Sequence, residues 1–215
     1  MTADGSAPDL DVQSLGDFLG QLAARLPAPG AGATAAIEAA LAASLVAMVG
    51  RFTTGERYAE HQELVAGVVT RAEAVRDDCL AAAAADETAF TAVTEAYRLP
   101  QGTAAEQTAR LQAVHAAQLR AAQPPSDVIS AAVVLVALAE QLLPVANPNV
   151  VSDVAAATAA ARAAATTARL AVEVNLRGVP GGSARDDLLA VTARVDELVH
   201  RADTVEAGVR EHLAR

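Results

Sequence analysis

The sequence contains no tryptophan and no lysine, and it has a single cysteine. Only 2% of the residues are aromatic although 53% are hydrophobic, and alanine alone makes up roughly a quarter of the 215 residues. Aromatic and β-branched residues favour strands, whereas alanine is the strongest helix former. The composition therefore predicts an all-α protein. Its helices are expected to approach one another closely, because alanine and glycine put little between two backbones.

Positive charge is also scarce. Sixteen basic residues, all of them arginine, stand against 26 acidic residues, which gives a net charge of −10. This balance argues against a nucleic-acid partner, because phosphates require a basic surface. Cys79 alone cannot form an internal disulfide, and the acidic N-terminal sequence lacks the basic and apolar regions of a secretion signal. We therefore expect a cytoplasmic protein.

Clusters of glycine and proline divide the chain into helical segments. We expect a disordered tail over residues 1–10 and one helical domain over residues 11–215. After an amphipathic segment that begins near Leu15, helices are expected over about 34–52, 57–98, 104–123, 126–143, 152–176 and 184–213. Ser126 or Asp127 is expected to cap the fourth of these six helices, and Ser152 or Asp153 the fifth.

The segment from Thr34 to Phe52 consists almost entirely of small or apolar residues. A membrane span needs about 20 apolar residues, and this segment nearly supplies them. However, it contains Glu38, its ends lack basic flanks, and alanine is only weakly apolar. We expect a helix at the centre of a bundle and no membrane partner.

The break before this helix, "PAPGAGAT", contains Pro29, Gly30 and Gly32. Glycines before a helix let a ligand approach the backbone, and the free N–H groups of the first turn attract an anion. An ordinary connection between two helices explains the same residues, so the motif alone does not decide between a ligand site and a turn.

The break after the helix, "FTTGERY", is preceded by Arg51 and contains Arg57 and Tyr58. The two arginines fit a carboxylate ligand, and the tyrosine hydroxyl fits a hydrogen bond to it. Solvated charges on a helix connection are the alternative.

Asp86 and Phe90 lie four residues apart inside the long second helix of this series, and hence on one face. A carboxylate beside an aromatic ring suits a flat heterocycle on which protons are moved. A surface acid near a core phenylalanine is the alternative interpretation.

The break "ANPNVVSD" brings Asn147, Asn149, Ser152 and Asp153 together, and Asn175 lies near the end of the apolar helix that follows. Capping explains Ser152 or Asp153. It does not explain two further asparagines, nor an amide near the end of an apolar helix. The four histidines show no metal-ligand spacing, and no phosphate-binding or dinucleotide motif occurs, so we expect no metal and no cofactor.

Taken in order, "LPAPGAGATAAIEAALAASLVAMVGRFTTGERY", "DETAFTAVTEAYRLP", "PPSDVISAA" and "ANPNVVSDVAAA" with the later "VEVNLRG" resemble the cyclodeaminase/cyclohydrolase family. This helical folate-processing domain is also the C-terminal part of formiminotransferase-cyclodeaminase. The resemblance covers about residues 11–210. It implies a long-helix bundle that forms a homodimer and acts on tetrahydrofolate derivatives without a cofactor. Two activities stay open: hydrolysis of methenyltetrahydrofolate to formyltetrahydrofolate, and ring closure of formiminotetrahydrofolate with loss of ammonia.

The resemblance also implies roles for single residues. Asp86 and Asp153 are the expected acid/base residues. The residues expected to contact the folate are Pro29, Gly30, Gly32, Tyr58, Phe90, Asn147, Asn149, Ser152 and Asn175, with Arg51, Arg57 or Arg177 at its glutamate tail.

Two departures from the family pattern bear on activity. The family usually has three glycines and a serine where this chain has Gly30, Ala31, Gly32 and Ala33, and it often has lysines where this chain has Glu56 and Arg57. An arginine cannot replace a lysine as a base, because its guanidinium stays protonated. A non-catalytic helical homodimer that binds folate is therefore the alternative function.

Overall fold

A computed structural model describes residues 13–214, and the tail expected over residues 1–10 lies outside this range. All regular structure in the described range is helical. The eight α-helices there are α1 (Leu15–Ala23), α2 (Ala31–Phe52), α3 (Gln62–Tyr97), α4 (Ala104–Ala121), α5 (Gln123–Leu142), α6 (Val151–Asn175), α7 (Ser183–Thr192) and α8 (Val195–Leu213). Two 3₁₀ turns, Glu56–His61 and Pro148–Val150, precede α3 and α6. The prediction of an all-α fold with long helices is confirmed.

The central element of the bundle is α2, which packs against α3, α5 and α6. Close packing is achieved by small residues: a Cβ at Gly50 would lie 2.5 Å from the Val69 side chain of α3. The last turn of α2 thus lies beside the start of α3, and Gly32 in the first turn of α2 lies beside Asp86. Hence α3 runs antiparallel to α2. The loop before α6 contacts Thr53 at the end of α2, so α6 runs antiparallel to α2 as well.

One face of α2 is not covered. Leu41 and Phe52 are each 56% exposed, and the apolar side chains between them on the same face are half-buried. We call this face the α2 stripe; its members are Ile37, Leu41, Leu45, Met48 and Phe52. The expected central position of this helix is therefore confirmed on three sides, and the fourth side is an open apolar surface.

Two helical stretches in the described residues are long and apolar enough to cross a membrane by length and composition alone. They are Ala31–Phe52, with a mean hydropathy of 1.7, and Ala104–Leu142. The core helix of a globular protein meets the same criteria, and 61% of the apolar window in Ala31–Phe52 is buried inside the fold.

The expected caps of α5 and α6 are wrong. Pro124 and Pro125 do not precede α5 but form its first turn, where no backbone N–H is needed, so Ser126 is a buried residue inside the helix. Val150 is the N-cap of α6, and Ser152 lies in the first turn.

The C-terminal segment, expected as one helix over 184–213, is two helices. The Thr192 hydroxyl donates a hydrogen bond to the Leu189 carbonyl at 2.7 Å. The Arg194 N–H then bonds to the Val191 carbonyl, three residues back instead of four. These local bonds replace the α-helical pattern and separate α7 from α8.

The helices α3 and α4 form a hairpin that has its own small core. Its buried side chains are Val93, Ala96, Val114, Ala117 and Ala121. Because Asp86 lies beside the first turn of α2, the part of α3 after it extends beyond that end of the central helix.

Candidate active site

A carboxylate from α3 lies at the N-terminus of α2. The N-cap residue of α2 is Gly30, which has no side chain to satisfy the N–H groups of the first turn. Instead, Oδ2 of Asp86 accepts a hydrogen bond from the Ala33 N–H at 3.1 Å. Asp86 therefore acts as a remote cap of α2, and the positive end of the helix dipole faces its carboxylate.

Gly32 makes this contact possible. A Cβ at this position would lie 2.0 Å from Oδ1 and 2.6 Å from Oδ2 of Asp86, which no real pair of atoms tolerates. The close approach expected at Gly32 is thus made by the carboxylate of the protein itself. Gly30, by contrast, has no atom within 4 Å of the position of a Cβ, so it leaves open space beside the same helix end.

The environment of Asp86 favours a carboxyl group that holds a proton. Burial raises the pKa of Asp86 above its ordinary value, and the hydrogen bond from the Ala33 N–H lowers it only in part. Burial, followed by the negative charge of Asp86, also raises the pKa of the neighbouring Glu87. Raised carboxyl pKa values are common among acid/base residues.

Other expected site residues lie at the same end of α2, which we call the Asp86 end. Phe90 follows Asp86 by one turn of α3 and is 40% exposed. Asn175, at the end of α6, donates a hydrogen bond from Nδ2 to the Ala121 carbonyl at 2.9 Å and thereby joins α6 to α4. The expected residues at the Asp86 end are Pro29, Gly30, Gly32, Asp86, Phe90, Asn175 and Arg177.

The opposite end of α2 is organised by Thr53, which sequence reasoning missed. Its buried hydroxyl donates to the Val49 carbonyl at 2.8 Å and accepts from the Asn147 N–H at 3.1 Å. Asn147 donates from Nδ2 to the Phe52 carbonyl at 2.8 Å, and its Oδ1 accepts from the Asn149 N–H at 3.1 Å. The signal in the sequence for this group of hydrogen bonds is a polar residue directly after an apolar helix.

A cavity of about 320 Å³ lies beside Thr53, between the last turn of α2 and the start of α3. Tyr58 lines it, and the guanidinium of Arg57 lies 5.4 Å from the centre of the Tyr58 ring. Arg51 also lines the cavity and forms an ion pair with Glu73 of α3. We call this region the Thr53 end; its expected site residues are Arg51, Arg57, Tyr58, Asn147, Asn149, Ser152 and Asp153.

The second expected acid/base residue, Asp153, is half-buried in the first turn of α6. It is not the N-cap, but a carboxylate in the first turn of a helix interacts favourably with the helix dipole. Because α6 begins beside the end of α2, Asp153 belongs to the Thr53 end.

The structure therefore divides the expected site into two groups at opposite ends of α2. From Gly32 to Gly50, α2 advances 18 residues, or roughly 27 Å at 1.5 Å per residue. Asp86 and Asp153 lie near the two limits of this interval. Within one chain they do not come together.

The remaining reactive side chains are the thiol of Cys79 and the side chains that could bind a metal ion. Cys79 is buried, and burial together with the negative charge of Asp78 raises the pKa of its thiol to about 12. The thiol is thus not a nucleophile at neutral pH. Over residues 13–214, no group of three or more His, Cys, Asp or Glu side chains is placed to hold a metal ion.

Fold and site together define an all-α bundle with a half-buried carboxylate of raised pKa at the N-terminus of its central helix. A family model described as formiminotransferase-cyclodeaminase matches residues 14–193 of this chain. The chain belongs to that family, as the sequence resemblance indicated.

Individual relatives agree with this assignment. The chain is 34% identical to a methenyltetrahydrofolate cyclohydrolase of Methylorubrum extorquens over 187 residues, which cover 86% of this chain and 87% of that protein. It is 29% identical to a formimidoyltransferase-cyclodeaminase of Mus musculus over 91% of this chain but only 36% of the mouse protein. The crystal structure of formiminotetrahydrofolate cyclodeaminase from Thermotoga maritima matches with a TM-score of 0.79 and 26% identity, over 95% of this chain and 97% of that one.

Proposed function

We propose that this protein is a folate one-carbon enzyme, a methenyltetrahydrofolate cyclohydrolase that forms formyltetrahydrofolate. The observation that carries the proposal is Asp86, a carboxylate with a raised pKa held at the N-terminus of α2. The relative named for this activity supports it, because the similarity covers most of both chains.

The chemistry fits such a carboxylate. Water adds to the carbon that bridges two folate nitrogens and loses a proton, which gives a tetrahedral intermediate. The bond to one nitrogen then breaks as the hydroxyl loses its proton and becomes the formyl carbonyl, and that nitrogen takes up a proton. Overall, one proton is released to solvent for each cationic methenyl group that is hydrolysed. A carboxylate with a raised pKa accepts the first proton and delivers the proton to the leaving nitrogen, which is the role we propose for Asp86.

Formiminotetrahydrofolate cyclodeaminase is the second candidate activity. The solved structure with the same fold carries that name and aligns over nearly the whole of both chains. In this reaction a folate nitrogen attacks the formimino carbon and gives up its own proton as the ring closes. The formimino nitrogen takes up a proton and leaves as ammonia. The same carboxylate serves here as the acid that protonates the leaving nitrogen.

The Thr53 end supplies the groups that we propose for the rest of the substrate. Arg51 and Tyr58 line the cavity there, and Arg57 lies over the Tyr58 ring. A glutamate tail carries carboxylates, which arginine binds well. We further propose a cytoplasmic enzyme that needs no metal or cofactor and binds neither nucleic acid nor a membrane. The acid/base chemistry, the net charge of −10 and the single cysteine support these points.

The direct test is an assay with both folates. The purified protein should accelerate the loss of methenyltetrahydrofolate absorbance well above the buffer rate, and it should form the methenyl compound from formiminotetrahydrofolate more slowly. The reverse order would assign the cyclodeaminase activity. A protein that binds both folates in a titration but converts neither is the non-catalytic homodimer, and the proposal of catalysis would then be wrong.

We also propose that the enzyme is a homodimer. The α2 stripe leaves large apolar side chains open, and such surfaces mark sites of association. Light scattering at micromolar concentration should give about twice the 21.8 kDa mass of the chain. A mass of one chain under these conditions contradicts the dimer.

A further inference from the structure

We infer that a cavity between α4, α5 and α7 is a second binding site, and that its ligand is a free α-amino acid with an apolar side chain. No residue that we propose for the folate lines this cavity. The inference therefore goes beyond the proposed activity and does not depend on it.

The cavity is large enough for a small molecule. Its volume is about 460 Å³, and small-molecule sites usually measure about 300–1,000 Å³. It lies where the last turn of α4 and the first turn of α5 meet α7. Ser126 and Leu188, which are 2% and 6% exposed, form its buried part. The cavity therefore reaches from the surface to the edge of the core.

Two opposite charges border the cavity. Arg120 lies in the last turn of α4, and Asp187 lies on α7. Neither side chain forms an ion pair with another of residues 13–214, so the two charges do not neutralise each other. A ligand that carries both charges satisfies them together. An α-amino acid does so, because its carboxylate binds the guanidinium while its ammonium group binds the carboxylate.

The hydroxyl of Ser126 is a further group without a partner inside the fold. The Ser126 carbonyl accepts a hydrogen bond from the Ser130 hydroxyl at 3.3 Å, but the Ser126 hydroxyl itself forms none within residues 13–214. Most buried polar side chains do have a partner, because an unpaired one loses its hydration without compensation. Since Ser126 lines the cavity, a polar ligand there supplies the missing hydrogen bond.

The rest of the wall favours an apolar side chain on the ligand. Leu119, Leu188 and Val191 border the cavity beside the charged groups. The net charge of −10 works against the capture of an anion, but it does not oppose a ligand whose two charges cancel. Together, the paired charges and the apolar wall indicate a zwitterion of the leucine type.

Calorimetric titration of the purified protein with three related molecules tests the ligand class. L-Leucine carries both charges, 4-methylpentanoate lacks the ammonium group, and 3-methylbutylamine lacks the carboxylate. We expect saturable binding of leucine with one site per chain. The two single-charge molecules should bind about 10–100-fold more weakly, because each loses a charged hydrogen bond. Absence of saturable leucine binding at millimolar concentration, or equal binding of all three molecules, overturns the inference.

Variants of the two charged residues locate the site. Asp187→Asn and Arg120→Gln should each weaken leucine binding by about 10–100-fold, with unchanged helix content by circular dichroism. Asp186→Asn is the matched control, because it makes the same change at the neighbouring exposed position of α7, which does not line the cavity. Wild-type affinity in Asp187→Asn, or the same loss in Asp186→Asn, would show that leucine binds elsewhere.

Two further variants test the interior of the cavity. Ser126→Ala should weaken leucine binding by about 3–10-fold, the effect of one neutral hydrogen bond, while the melting temperature stays near that of the wild type, because no bond within the fold is lost. Ala184→Phe fills the cavity from an exposed position and should abolish binding. Wild-type affinity in both variants contradicts the site.

Competition separates this inference from the proposed function. Formyltetrahydrofolate should not displace leucine, and displacement would place the cavity inside the folate site and overturn the inference. A protein that binds leucine as expected but converts neither folate would refute only the proposed catalysis. A protein that converts a folate but binds no leucine would refute only the second site.

Discussion

Asp86→Asn is expected to lower turnover by about 10²–10⁴-fold, the usual contribution of a positioned acid/base group, while the fold is retained. Asparagine keeps the shape of the side chain and an oxygen that accepts the Ala33 N–H, so the cap on α2 survives. It has no proton to exchange near neutral pH. Steady-state kinetics with methenyltetrahydrofolate and circular dichroism of the same sample measure both parts of this expectation.

The pH dependence of stability gives an independent check on the same residue. Because burial raises the pKa of Asp86 above 3.8 in the folded chain, the folded state binds the proton more tightly than the unfolded state. Its contribution to stability is therefore greatest below 3.8 and is lost as the pH rises through the folded pKa. Asp86→Asn removes this contribution, so the unfolding free energy of the variant should fall less over that window than that of the wild type.

Asp78→Asn is the matched control for both measurements. It makes the same chemical change on the same helix, at an exposed position outside the expected site. Its turnover should equal that of the wild type. Equal turnover in Asp86→Asn and Asp78→Asn would remove Asp86 from the mechanism.

Gly32→Ala is expected to have the second large effect. The added methyl group would lie 2.0 Å from Oδ1 of Asp86, so the carboxylate must leave the first turn of α2. We expect a loss of about 1–3 kcal/mol in the unfolding free energy, as for other overpacked positions. Turnover should fall towards that of Asp86→Asn, because the same carboxylate is displaced.

Alanine substitutions at two other glycines separate the effect of this clash from the general effect of replacing glycine by alanine. Gly30→Ala meets nothing within 4 Å and has an extended backbone, so its unfolding free energy should stay near that of the wild type. Gly67→Ala, inside α3 and also without close neighbours, should stabilise the protein by about 0.5–1 kcal/mol, because alanine is the better helix former. Wild-type stability and turnover in Gly32→Ala would show that Asp86 is not held where we place it.

Helical periodicity and breaks were sufficient to predict the class of fold and most of its long helices. These signals are local, since a 3.6-residue repeat and a proline act within a few positions. They failed where two local rules compete. In "QPPSD" both a serine cap and first-turn prolines are acceptable helix starts, and the prolines form the first turn in the structure.

The residues proposed for the candidate site came from sequence motifs, but their arrangement in space could not be predicted. Asp86 was recognisable as a carboxylate one turn from Phe90. Nothing local indicates that it caps a helix that begins 55 residues earlier, because that contact depends on how α2 and α3 pack. For the same reason, sequence alone could not show that Asp86 and Asp153 lie at opposite ends of one bundle.

The remote cap has a consequence for how the chain matures on the ribosome. Synthesis of α2 is complete at Phe52, whereas Asp86 is added 34 residues later. Until α3 folds back, the first turn of α2 lacks this carboxylate cap. The Asp86 carboxylate and the helix end that it caps therefore come together only when α3 docks on α2, so this contact cannot form in a nascent chain that ends before Asp86.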